Sequence, residues 1–333
     1  MIKSILTLAL NPAIDQTIVL DHLQPGAVNR ATAAHVNAGG KGVNVASCLA
    51  DWGMVVHLMA LLGDENCEPF RRLFRDKGIT DHSIRFAGAK TRINIKIADQ
   101  GSGETTDINL PGFGMTAERM KEHEGRLLES MGWLLDTWPS GITPLVVASG
   151  SLPEGFNPAI YSVMAADVRR RGGRLILDTS GEPLAAALAA PADSLPMCIK
   201  PNLAELEHWA GRSLLSRDEI LAAARALNRR GIALVVVSLG AEGALYVSSS
   251  VAVRAALPPV RPLSTVGAGD AMVAGVAAAL WEGANPDLAV GLERIARLST
   301  AFAVGKLEQL GPNLPPRATI EALAATVAIE VCA

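Results

Sequence analysis

Short apolar runs rich in β-branched residues alternate along this chain with longer segments of helical period, and that alternation limits the fold more than any other feature. The runs are SILTLAL (4–10), VVHLMALL (55–62), LVVAS (145–149), RLILD (174–178), MCIK (197–200) and ALVVVS (233–238). Helical segments fall near 42–52, 67–77, 116–131, 157–171, 182–190, 203–209 and 217–230, then at 267–282, 287–304 and 318–328. Strands apolar on both faces need cover on both. The pattern therefore predicts an α/β fold, a mainly parallel sheet between two layers of helices.

Two stretches break the rhythm. Residues 13–36 and 90–110 alternate polar with apolar, carry Gly and Pro turns and lack a helical stripe. They read as hairpins of a small sheet with one wet face, the second turning at GSG (101–103). Two such excursions, from about 12–36 and 90–110, predict one accessory lid on a single domain spanning 1–333.

Composition narrows the function. Charged residues make up 19% and hydrophobic ones 49%, a globular balance. A net charge of −3, with no basic run longer than RRR at 169–171, argues against a nucleic-acid surface. The four cysteines are scattered, as buried hydrophobes of a reducing compartment would be, and the six histidines form no ligand pair for zinc. No apolar stretch reaches the ~18 residues of a membrane span. MIKSILTLALNPAID lacks a small-x-small cleavage site and reads as a first strand, so a cytoplasmic protein is expected.

The glycines and polar residues cluster where strands end. Strand 4–10 runs into Asn11 and Asp15, 145–149 into SGSLPEG, 174–178 ends in Asp178, 197–200 runs into KPNLAELE, and 233–238 into SLGAEG. In an open parallel sheet that edge is where ligands bind. VNAGGKGVNVASCLA (36–50) is a strand-to-helix loop that either cradles an anion or makes a tight turn with Lys41 in solvent. It is not a Walker A loop. STVGAGDAMVAGVAAALW (264–281) opens a helix on Gly267, Ala268, Gly269 and Asp270. Such a helix start can hold an anion on bare N–H groups, with Asp270 as a base for a hydroxyl proton. The plainer reading is an acidic first-turn residue that only stabilises the helix.

Taken together and in order, TLALNPAID, GGKGVNVA, TRINIK, SGSLPEG, KPNLAELE, VVVSLGAEGALYV and STVGAGDAM resemble the phosphofructokinase B branch of the ribokinase-like sugar kinases, over essentially the whole chain. The resemblance implies a three-layer Rossmann-type domain with a small β-sheet lid, and ATP- and Mg2+-dependent phosphorylation of a sugar hydroxyl. By it, Asp270 is the base, and the amides of Gly267, Ala268 and Gly269 hold the transferring phosphate. Asn202 and Glu205 organise Mg2+ through water. Lys200, Ser238, Gly240 and Gly243 lie along the nucleotide. Asp15, Gly39, Gly40, Asn44 and Asn94 face the sugar.

Lys41 and Arg92 are the cations expected to clamp a sugar phosphate, which a free sugar does not need. TRINIK followed by TDINLPGF looks most like the branch that phosphorylates the 6-hydroxyl of fructose 1-phosphate, with tagatose-6-phosphate and fructose-6-phosphate kinases the nearest alternatives. Leu110 stands where those relatives often carry a glutamate. Lids of this family often pair, so a homodimer through the lid is implied. Outside the enzyme class, a non-catalytic sugar-phosphate sensor on the same fold is the competing reading.

Overall fold

The computed structural model describes residues 4–113, 116–139, 141–256, 266–309 and 311–332. The chain opens with β1 (Ser4–Ala9), the lid strands β2 (Ala13–Leu20) and β3 (Ala33–Gly39), α1 (Lys41–Asp51), β4 (Val55–Gly63) and α2 (Glu68–Lys77). Short strands β5 (Thr80–Asp81) and β6 (Ile84–Phe86) lead to lid strands β7 (Ile93–Asp99) and β8 (Thr105–Asn109). Then come α3 (Ala117–Asp136), β9 (Leu145–Ser149), α4 (Ile160–Arg170), β10 (Arg174–Asp178), α5 (Gly181–Ala189), β11 (Cys198–Ile199), α6 (Leu203–Ala210), α7 (Arg217–Arg229) and β12 (Leu234–Ser238). The last part holds β13 (Ala244–Ser248), β14 (Ala252–Ala256), α8 (Ala268–Trp281), α9 (Ala289–Leu307), α10 (Arg317–Thr326) and β15 (Ala328–Cys332).

The main sheet runs β15-β14-β13-β12-β11-β10-β9-β1-β4-β5, with β6 beside β4. From β12 to β5 every pairing is parallel. Side chains two apart share a face of a strand, and each face has its own core. Ile5 and Ala9 of β1 belong to the core covered by α1, α8 and α9, whereas Leu6 and Leu8 belong to the core covered by α3, α4 and α7. That is the expected three-layer arrangement.

Successive strands are added on either side of β1, β4 on one flank and β9 on the other. The carboxyl ends part at this reversal, which opens the crevice where such folds hold ligands.

Five strands of the main sheet escaped the sequence pattern. β5 and β6 are two and three residues long. β13, β14 and β15 form an antiparallel extension, and their sequences ALYVS, AVRAA and AIEVC are short, with only one or two β-branched residues each. β15 also shortens the last expected helix, which ends at Thr326 rather than at 328. The helix expected over 116–131 runs on to Asp136.

The two irregular stretches do form a separate four-stranded sheet, β3-β2-β7-β8. The turn at its far end closes as the GSG signal predicts, with Gly103 N–H bonded to the Asp99 carbonyl at 2.9 Å. Among the described residues, no helix is long and apolar enough to cross a membrane.

Candidate active site

The site begins with a carboxylate at the end of a strand. Asp178 closes β10 beside Ser149, the last residue of β9, and its side chain is almost fully buried. Burial opposes its charge, but Lys200 Nζ at 3.2 Å and Lys41 Nζ at 3.4 Å more than compensate, and Ser149 Oγ donates a hydrogen bond at 3.1 Å. Its pKa is therefore held below the usual carboxylate value. Lys200 follows β11 and Lys41 opens α1, so three elements meet at one buried charge cluster.

Asp270 lies in the first turn of α8, facing that cluster, and is 6% exposed. Its pKa is pushed up to about 6, chiefly by burial and next by the negative charge of Asp178. Asn44 Nδ2 donates to its Oδ2 at 2.8 Å, and Lys41 and Lys200 act in the same restraining direction. A buried carboxylate poised near neutrality is suited to accept a hydroxyl proton.

The glycine before Ala268 has an identifiable reason. Gly267 caps α8 with φ at +83°, a left-handed conformation that side chains resist. A Cβ on Gly269 would stand 3.6 Å from Lys200 Nζ, an ordinary contact that places the helix mouth beside a cation. The first amides of a helix point out of such a mouth, at the positive end of its dipole. Ser264 and Thr265 of the same motif lie outside the described residues.

The lid supplies a second group of polar residues. Asp15 on β2 sits opposite Asn94 on β7, and Asn94 Nδ2 donates to it at 3.2 Å. Burial raises the Asp15 pKa, with Lys96 the main opposing charge. Gly39 is pressed against this carboxylate, since a Cβ there would fall 2.5 Å from Asp15 Oδ2. Gly40 caps α1 over the backbone of Pro12. Between the lid and helices α1, α2 and α9 lies a cleft of about 950 Å3, whose walls include Asp15, Asn44, Lys96, Asp107, Val266 and Lys306.

The two cations expected to clamp a phosphate have different partners. Lys41 is held on Asp178 at the main sheet. Arg92 donates from Nη2 to the Asn11 carbonyl at 3.0 Å and from Nε to the Pro12 carbonyl at 3.3 Å.

On the other flank, Asn202 and Glu205 form a capping box at the start of α6, each side chain accepting the other's backbone N–H. Asn202 also bridges to Ser238 at the end of β12. Gly240 follows with open space around its α-carbon, whereas Gly243 is pressed against the Ala255 carbonyl of β14.

Among the described residues, no group of three or more His, Cys, Asp or Glu could hold a metal ion alone. Glu205 is a single carboxylate whose charge is felt by Lys41. That donor set fits Mg2+, which keeps most of its waters and binds through one or two carboxylates plus substrate phosphates.

Two residues of this centre were not singled out from sequence as site residues. Asp178 carried a signal, a lone acid ending an apolar strand. Lys306 carried none, because a lysine in a last helical turn is ordinary.

The model of the "pfkB family carbohydrate kinase" matches residues 8–318. The chain is 46% identical over 326 residues to a 1-phosphofructokinase of Xanthomonas campestris pv. campestris, covering 97% of each. It is 43% identical to a 1-phosphofructokinase of Rhodobacter capsulatus, covering 99% of this chain and 98% of that one. Among solved structures it resembles phosphofructokinase-2 from Escherichia coli in complex with substrates and products, with a TM-score of 0.83, 30% identity and coverage of 97% and 98%. The tetrameric inhibited form of that enzyme matches with a TM-score of 0.81. A family model over nearly the whole chain, close full-length relatives and the same fold agree with the buried Asp270 at a glycine-capped helix mouth: the chain belongs to the pfkB family of carbohydrate kinases.

Proposed function

We propose that the protein transfers the γ-phosphoryl group of ATP to the 6-hydroxyl of fructose 1-phosphate, giving fructose 1,6-bisphosphate and ADP. The observation that carries this reading is Asp270, a buried carboxylate with a pKa of about 6 at the mouth of α8, held by Asn44 at the edge of the lid cleft. Asp270 accepts the proton of the 6-hydroxyl. The O6–phosphorus bond forms as the bond from phosphorus to the bridging oxygen breaks, and ADP departs with that electron pair. The amides of Gly267, Ala268 and Gly269 take the charge of the transferring group, and because the transition state is loose the base acts late.

Lys200, Ser238, Gly240 and Gly243 lie along the nucleotide in this reading. Asn202 and Glu205 hold Mg2+ through water, and the ion neutralises phosphate charge when bound. Asp15, Gly39, Gly40, Asn44 and Asn94 face the sugar hydroxyls. Lys41 and Arg92 clamp the phosphate of the sugar phosphate. That the relatives are 1-phosphofructokinases favours fructose 1-phosphate over 6-phosphate acceptors. The exposed Val36 and Ile108 of the lid suit pairing with a second copy.

ADP release with Mg-ATP, compared as kcat/KM across fructose 1-phosphate, fructose 6-phosphate, tagatose 6-phosphate and fructose, tests the proposal. A clear preference for fructose 1-phosphate supports it. A preference for a 6-phosphate keeps the chemistry and replaces the substrate. Absence of turnover by folded protein leaves a sensor as the reading to pursue.

A further inference from the structure

Lys306 is a buried cation that none of these roles uses. It lies in the last turn of α9, 3% exposed, on the wall of the lid cleft. Its Cε is 3.3 Å from the point a Gly267 Cβ would occupy, and Asp270 Oδ2 and Asn44 Nδ2 are each 3.9 Å from the same point. The base and the lysine stem therefore both stand against the cap of α8. The Gln309 carbonyl accepts one of the ammonium protons at 3.0 Å.

An ammonium so placed is disfavoured twice, by burial and by the positive end of the α8 dipole. Burial does lower its pKa, while Asp270 is among the charges that support the protonated form. Asp270 and the carboxyl end of α9 offset part of that cost, and a bound anion would offset more. The phosphoryl group brought to the mouth of α8 is one.

We propose that Lys306 is a further catalytic residue, its ammonium meeting the charge of the transferring phosphoryl group on the Gly267 side of the α8 mouth while Lys200 stands on the Gly269 side. The inference rests on the phosphoryl-transfer reading above. Lys306 keeps its protons throughout, since Asp270 takes the proton of the hydroxyl and ADP takes the electrons of the broken bond. The competing role is purely structural, an anchor for the carboxyl end of α9 through Gln309.

Lys306→Met and Lys306→Arg, assayed with the sugar phosphate that wild type turns over fastest, separate the two. If the charge acts on the transferring group, Lys306→Met lowers kcat by about 100-fold with both KM values within about threefold, and Lys306→Arg recovers part of the loss. Binding of Mg-ADP with aluminium fluoride, a stand-in for the transferring group, weakens in Lys306→Met while Mg-ADP alone binds as before. Unchanged kcat in Lys306→Met overturns the proposal. So does an equal loss in both variants with aluminium fluoride binding intact. Should wild type turn over none of the sugar phosphates, the functional reading fails separately, and the aluminium fluoride comparison alone decides the role of Lys306.

Discussion

Asp270 and Asp178 are two buried carboxylates of one centre with opposite pKa shifts, and their neighbours explain the difference. Asp178 has two lysines within 3.4 Å, whereas Asp270 has an amide and the repulsion of Asp178. Asp270→Asn removes the base and should lower kcat by roughly 10²- to 10⁴-fold, with nucleotide binding retained by calorimetry. For wild type, kcat/KM should fall about tenfold per pH unit below pH 6, because the base must be ionised to accept a proton. The same shift acts on stability. A carboxyl whose folded pKa is raised favours folding below the unfolded pKa, and that advantage is lost as pH rises from 3.8 through about 6. Asp270→Asn should therefore stabilise the fold at pH 7 to 8, by up to about 3 kcal/mol, measured by urea unfolding. Asp178→Asn should do the reverse, leaving the buried Lys200 unpaired at a cost of about 3–5 kcal/mol. Both carboxylates stand in plain view in the sequence. Their difference does not, because it comes from lysines that β11 and α1 bring onto Asp178 in one case and from none within hydrogen-bond reach in the other.

At the scale of elements, α8 answers why a helix tolerates so many small residues. Its length from Asp270 to Leu280 is buried, and α9 lies so close that a Cβ on Gly275 would stand 2.5 Å from Ser299 Cα. Gly275→Ala should destabilise the protein by about 1–3 kcal/mol through overpacking, where helix propensity alone predicts a gain of ~1 kcal/mol. Thermal unfolding gives the sign directly. The approach also explains how Lys306 of α9 comes to stand beside Gly267 of α8. The helices and most parallel strands were legible because their apolar period is strong and regular. β5, β6, β13, β14 and β15 were not, since a short strand with few β-branched residues gains its identity from the ladder it joins.

At the scale of the molecule, the cleft is walled by lid strands and by residues of α1, α2 and α9, so a sugar phosphate bound there contacts both the lid and the main domain. Fructose 1-phosphate without nucleotide should raise the unfolding midpoint, corresponding to about 2.7 kcal/mol when its concentration is 100-fold above Kd. Lid pairing predicts a dimer by sedimentation, and Val36→Asp with Ile108→Asp should shift it to monomer if the exposed lid face is the interface.

The sequence by itself determined the layered α/β fold, the two lid excursions and the positions of the glycine loops. These depend on local period and on turn chemistry, which neighbouring residues specify. It also brought Asp270, Asn44 and Lys200 forward as site residues, through motifs whose spacing is fixed along the chain. Only the tertiary structure decided which charges share a site. It put Lys41 on Asp178 and Arg92 on the Asn11 and Pro12 carbonyls, and it set the buried Lys306 against Gly267. Electrostatics act through space and depend on burial, so they follow from how the layers pack and not from the order of residues along the chain.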